Sequence, residues 1–392
     1  MTPRPGRLDG VAVVTAGAMT ANLAGYLLHL PASRWLGLGG YSEFASLLAV
    51  QLVLAVPALA LQNVVAREVA IGARTSIRRL QWRCAALVAV IAAALIPVLS
   101  ALLDVGAVAT GAALLTAPVL VALAADQGIL QGSNRFRELA VVIGGAGVAR
   151  VAPAVVVLAL GGGPAAALTA GAGGAAVAAL GARWVVGGVA GDGDASVLAV
   201  VRASQVQLAL IALSSLDLVV ARLVLDGDDA SRYALAAVAT KIAFWLPQAV
   251  GVVLYPRMAV ASRQALREAM LVLTVLGAVA VAGAAVAAPL APLLAGAGYA
   301  PITGVLWAFA LHGAVLALLQ AALLTAIAAD RTALALIAWG GLAVEVVAML
   351  GFARSVSTLV TTAVICAALT TALVTVVVAR DVEKAVPAPT EG

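Results

Sequence analysis

The residues of this sequence that could do chemistry are the few ionisable side chains standing inside long apolar runs: Asp217, Lys241, Arg150, Glu345 and His312. A charge at the centre of a bilayer costs roughly 2.5–3.5 kcal/mol even on the mildest scale, so such groups pair, face water or carry function. Asp217 and Lys241 sit at similar depth in consecutive apolar runs. An Asp–Lys pair across adjacent helices would remove two bare charges from lipid, either as a structural ion pair or as part of a transport path. Arg150 has no carboxylate near it in sequence. A buried guanidinium needs a carboxylate, carbonyls, water or an anionic ligand, and Arg150 is expected to face a water-filled cavity. Glu345 is either its partner or a proton carrier. The two histidines, His29 and His312, are too far apart to make a metal site without further ligands. Each is expected to hydrogen-bond locally or, for His312, to line the cavity or titrate.

These side chains need elements to hold them, and the composition says which. The chain has 392 residues, is 64% hydrophobic and only 10% charged, with a mean hydropathy of +1.12. A soluble surface needs far more charge than that. Apolar runs of about 20 residues separated by short polar breaks read as membrane-spanning helices. They do not alternate polar and apolar residues as barrel strands would. The fold class is therefore all-α, a polytopic membrane protein of about 12 helices. The runs fall near 10–30, 44–66, 84–103, 106–125, 139–160, 165–186, 203–224, 234–256, 267–288, 303–325, 332–352 and 356–379. The first run has no clear small-x-small cleavage site and is expected to remain as a span.

Two stretches are related. Arg34–Ala70 and Arg222–Ala259 each hold a polar, aromatic turn, an apolar run, a proline and, ten residues later, an arginine: Pro57 with Arg67, Pro247 with Arg257. The repeat predicts two six-helix lobes, residues 1–190 and 203–392, joined by a cytoplasmic linker at 191–202 and related by an axis along the membrane normal. Proline within a span removes a backbone donor and tends to kink the helix. The matched positions make Pro57 and Pro247 the hinge candidates. Laying Pro57 on Pro247 sets Gln51 opposite Lys241, which makes Gln51 a candidate for substrate contact. Arginines crowd the loops on one side, leaving Arg34, Arg222, Arg232 and Arg354 on the other. Positive residues stay in the cytoplasm, so both termini are expected there, in a bacterial inner membrane. The basic balance belongs to these loops and marks no nucleic-acid partner. Trp35, Tyr41, Trp82, Trp184, Tyr233, Tyr255 and Tyr299 stand near span ends and are expected to be interfacial anchors.

Several activities lack their residues. There is no GxxxxGK[ST] phosphate loop, no HExxH and no GxSxG. Cys84 and Cys366 both lie in predicted spans, so no disulfide framework or metal spacing exists. No cofactor is indicated. A glycan polymerase or glycosyltransferase would need large outer loops with catalytic groups. The acidic outer cluster Asp226, Asp228 and Asp229 sits on a short turn instead. Transport is the expected function, without enzymatic activity.

The stretches RWLGLGGYSEFASLLAV and SLDLVVARLVLDGDDASRYALAAVATKIAFWLPQAVGVVLYPRMA (215–259) resemble the lobe openings of polysaccharide-biosynthesis flippases in the MATE-like MOP exporter superfamily. The resemblance implies alternating access, with two lobes enclosing a cavity that admits a polyprenyl-diphosphate-linked glycan head while the tail stays among membrane lipids. It makes Arg150 and Lys241 phosphate contacts, and it makes Asp217 and Glu345 candidates for tuning them or for coupling to H⁺ or Na⁺. Two departures stand out. Ser231-Arg232-Tyr233 lacks the glycine usually beside the tyrosine, and the chain is shorter than fourteen-span members. A MATE-like or major-facilitator-like small-molecule exporter is the alternative, although loop 67–83 lacks the major-facilitator signature.

Overall fold

The computed structural model describes residues 5–72, 76–188, 196–258, 263–328 and 335–384. Among them regular structure is entirely helical. The order is α1 (Pro5–Trp35), α2 (Gly37–Leu54), α3 (Val56–Ala70), α4 (Ile77–Leu103), α5 (Ala107–Gly132), α6 (Phe136–Ala159), α7 (Pro164–Val186) and α8 (Val197–Leu213). Then come α9 (Leu216–Val224), α10 (Gly227–Met258), α11 (Arg263–Ala287), α12 (Leu290–Ala295), a 3-10 turn (Ala297–Ile302), α13 (Leu306–Ala328), α14 (Ala335–Phe352) and α15 (Val356–Lys384). Ten stretches among the described residues are long and apolar enough to cross a membrane. The sequence reading of twelve also counts α14, whose apolar part Leu336–Phe352 is shorter, and α10, which carries Asp228, Asp229, Arg232 and Lys241 along its 32 residues.

The polar breaks act where the sequence places them. Between α6 and α7, Gly161 takes φ +83°, Gly163 is extended and Pro164 opens α7. This is the glycine-stop, proline-start arrangement that a tight helix reversal needs. Gly37, at φ +67°, lets α2 begin almost directly after α1, so the glycine-rich turn is much shorter than expected and Gly39–Tyr41 lie inside α2.

Two expected spans are broken helices. Pro57 stands in the first turn of α3, and α2 stops at Leu54. A prolyl nitrogen cannot donate, so the helix restarts there. In contrast, α10 continues through its matching Pro247 as one helix. The second break, at Ser214–Ser215 between α8 and α9, has no proline or glycine to announce it. Ser215 has φ −143° and its N–H donates to Ala212 O at 3.1 Å.

The chain forms two compact units, Met1–Ile211 and Ala212–Gly392. Residues 191–195 of the expected linker lie outside the described residues, and its remainder from Val197 onward belongs to α8. In the first unit α5 is the central helix, packed on α3, α4 and α7, while α6 packs on α1 and α7. In the second, α13 is central, packed on α10, α11 and α15, and α14 packs on α15 and α9. The pairing scheme is the same in both. Small residues permit it: a Cβ on Gly174 of α7 would lie 1.8 Å from Ala149 O of α6, and one on Gly313 of α13 would lie 2.0 Å from Thr240 O of α10. The α11–α13 connection, which the sequence reading leaves as residues 289–302 between spans, folds into α12 and the 3-10 turn.

Candidate functional site

The second unit gathers ionisable groups where its helix is broken. Asp217 lies in the first turn of α9, immediately after the Ser214–Ser215 break, and is 1% exposed. Its Oδ1 accepts the Leu218 N–H at 2.9 Å and its Oδ2 accepts the Tyr233 hydroxyl at 2.8 Å. A carboxylate at a helix N-terminus meets unsatisfied N–H groups and the positive end of the helix dipole. Tyr233, on α10, is fully buried and its ring meets Phe309 of α13 edge-on, with centroids 4.9 Å apart. The hydroxyl is thus held in place from behind.

Asp217 is near enough to act electrostatically on Lys241 of α10, His312 of α13 and Glu345 of α14. The break therefore brings together four of the residues singled out in the sequence. Lys241 is half-buried. His312 is completely buried beside Gly313, where α13 backbone stands against Thr240 O of α10, and among the described residues neither ring nitrogen has a hydrogen-bond partner. A substrate would reach it only if those helices part, so in this conformation His312 does not line an open cavity. Glu345 is 2% exposed and its Oε2 has no hydrogen-bond partner among the described residues. Across the same packed pair, the Thr240 hydroxyl donates to Phe309 O at 2.8 Å and ties α10 to α13.

In the first unit the candidates are more scattered. Arg150 is half-buried on α6, at the level where Gly171 and Gly174 of α7 press on α6 backbone. It makes no hydrogen bond or ion pair among the described residues. Gln51 is buried on α2, 4% exposed. The side chains of Pro247 and Arg257 lie outside the described residues.

Several features were not foreseen. Tyr41, Tyr233 and Tyr299 are not interfacial anchors: their exposures are 0%, 0% and 2%. Tyr41 hydrogen-bonds His29 Nδ1 at 2.8 Å, and Tyr299 hydrogen-bonds Ser231 at 3.0 Å. The opening tyrosine of the second span thus holds an ionisable group of the preceding helix in both units, His29 in one and Asp217 in the other. Trp35, Trp82 and Trp184 are exposed as expected, and the Tyr255 side chain lies outside the described residues. Of the polar residues within spans, Gln62 donates across helices to Gln131 at 3.0 Å, whereas Gln205 bonds its own helix at Val201 O. Asp126, near the end of α5, is 2% exposed and pairs with Arg78 of α4 at 2.5 Å, with Gln81 Nε2 3.4 Å away. The sequence reading ended that span at residue 125, which left Asp126 looking like a loop residue.

With this geometry established, solved structures can be set beside it. A multidrug resistance MATE family transporter of the MOP superfamily, in an inward-facing conformation, superposes with a TM-score of 0.72 at 13% identity, covering 96% of this chain and 100% of that one. The chain has a MATE-type fold. An outward-facing structure of a transporter described in the same words gives 0.56 at 14% identity over 96% and 97% of the two chains. A MOP superfamily transporter from Pyrococcus furiosus, reported to have a binding pocket of reversed polarity, gives 0.55 at 13% identity over 95% of each. No family model matches this MATE-type chain, and no curated protein does.

Proposed function

We propose that this protein is an alternating-access transporter of the bacterial inner membrane whose substrate is a polyprenyl-diphosphate-linked glycan. The observation that carries the transport reading is the cluster of Asp217, Tyr233, Lys241, His312 and Glu345 at a broken helix. Ionisable groups at membrane depth are expensive, and half-helix ends with freed backbone are where transporters hold ions. The MATE-type fold supports the same reading.

The anionic lipid substrate follows from the cations. Arg150 has no hydrogen-bond or ion-pair partner among the described residues, and Lys241 is held within the field of Asp217. A diphosphate and Asp217 would compete for the Lys241 ammonium. Neutralising Asp217 with H⁺, or covering Asp217 and Glu345 with Na⁺, releases Lys241 to the phosphate, so coupling ion and substrate favour each other's binding. Gln51 contributes a neutral donor, Pro57 and Pro247 serve as hinges, and both termini face the cytoplasm, where the arginine-rich loops lie. The acidic outer cluster has structural work: Asp226 accepts the Asp229 N–H at the start of α10, and Asp229 pairs with Arg232 at 2.6 Å. Two of the three acidic residues an outer-face glycan polymerase would need are thus engaged locally, and Asp228 is exposed. A second reading, export of small molecules, is favoured by the structural neighbours described as multidrug transporters.

The test is reconstitution into liposomes with a fluorescent polyprenyl-diphosphate sugar, scored by accessibility of the head group to an outside reagent. Wild type is expected to equilibrate the lipid, faster as pH falls if the coupling ion is H⁺. Arg150→Ala and Lys241→Ala are expected to lose at least about tenfold in rate, equivalent to one charge-assisted hydrogen bond each. Movement of small cationic drugs with the lipid left in place would replace the flippase by the exporter.

A further inference from the structure

One groove on the first unit has no part in that scheme. Helix α5 packs on both α4 and α7, but α4 and α7 scarcely touch each other, which leaves a cleft between them with α5 as its floor. Its cavity measures about 470 Å³. The walls are mostly alanine methyls and Pro118, and Trp82 and Leu180 flank it, 66% and 71% exposed. From Gln81 to Ala89 the α4 wall extends about 12 Å at the ordinary helical rise. These spans are apolar enough to cross a membrane, so the groove opens on lipid tails.

One end is different. Arg183, Gln81 and Asp126 line it, and Arg78 and Arg183 both donate to Gly187 O, at 3.3 and 3.1 Å. Asp126 is already engaged by Arg78 and Gln81. Arg79 and Arg83 share a face of α4 with Trp82 and Ala86, at helical spacings of three and four. Both are exposed, as is Arg183. The mouth therefore presents the exposed guanidinium groups of Arg79 and Arg183 beside Asp126, a carboxylate that is already paired. Trp82 and Trp184 stand at the same level, where indoles mark the membrane interface.

We propose that this groove is a binding site for an anionic phospholipid, with one acyl chain along the alanine-lined cleft and the phosphate at Arg183 and Arg79. Basic pockets between spans on the cytoplasmic side are the arrangement that holds anionic head groups. The apolar length excludes a free phosphate as the sole occupant, and the basic mouth disfavours a zwitterionic lipid. The inference is independent of what the protein transports.

The purified protein, released from a mild detergent in native mass spectrometry, would be titrated with phosphatidylglycerol, phosphatidylcholine and glycerol phosphate. Phosphatidylglycerol is expected to be retained preferentially. Arg183→Gln, which removes one head-group contact, should weaken retention about fivefold. Ala179→Phe should abolish it by filling the cleft without touching a charge. Arg137→Gln, an exposed arginine on α6, should bind as wild type does. Thermal unfolding in detergent alone verifies that each variant is folded. Equal retention of both lipids, wild-type retention by Arg183→Gln and Ala179→Phe, or binding of glycerol phosphate as tight as that of the lipid would each overturn the proposal.

Discussion

Asp126 and Arg78 show how a buried charge binds two helices together and why it is hard to read from sequence. Their positions are 48 apart, and Arg78 looks like one more topology-setting arginine in a basic loop. Once α4 begins at Ile77, Arg78 lies inside the helix, 17% exposed, against a carboxylate that is 2% exposed. Removing one partner of such a pair leaves the other buried and uncompensated, at a cost of about 3–5 kcal/mol. Arg78→Met should therefore lower the thermal midpoint in detergent sharply. Arg78→Met combined with Asp126→Leu should recover most of the loss, because the second change removes the orphaned charge. A double variant as unstable as the single one would mean that Gln81 and Gly187, rather than the pair, determine the stability here. The same lesson holds at Tyr233. Proximity to a span end made it look like an anchor, and only the fold shows its hydroxyl on Asp217. The approach of Asp217 to Lys241 was legible, because equal depth on consecutive spans already confines two charges to one neighbourhood.

Among the elements, span positions were legible to within about two helical turns, since a bilayer imposes a length and a composition on each helix. The broken helix at Ser214–Ser215 was not. Serine carries no backbone prohibition of the kind proline does, and a break there depends on neighbours satisfying the freed groups. Glycine is the complementary case, because a glycine in a span is legible as a residue but not as a contact. Gly174 faces Ala149 O closely enough to forbid a Cβ, whereas Gly181 on the same helix has nothing within 4 Å. Gly174→Leu should force α6 and α7 apart and cost about 1–3 kcal/mol, read as a lower unfolding temperature. Gly181→Leu should leave that temperature unchanged or slightly raised, because leucine is the better helix former. Similar losses at both positions would show that helix propensity, and not the close approach, governs α7.

At the scale of the whole molecule, the repeat in the sequence rested on a proline, an arginine and an aromatic turn. In the structure it becomes a shared packing order, with the fourth span central in both units and a buried tyrosine gripping the preceding helix in each. The prolines themselves diverge, one interrupting its helix and the other not.

The shared packing order has a consequence for assembly. Within the first unit α5 packs on α3, α4 and α7, and within the second α13 packs on α10, α11 and α15, so each central helix finds its three main neighbours in its own unit. Two polypeptides divided at the expected linker, 1–190 and 191–392, place α8 with the second half although it clusters with the first unit up to Ile211; co-expressed from separate messages, they should co-purify. Recovery of one half only when the other is fused to it would show that each half depends on the other to fold.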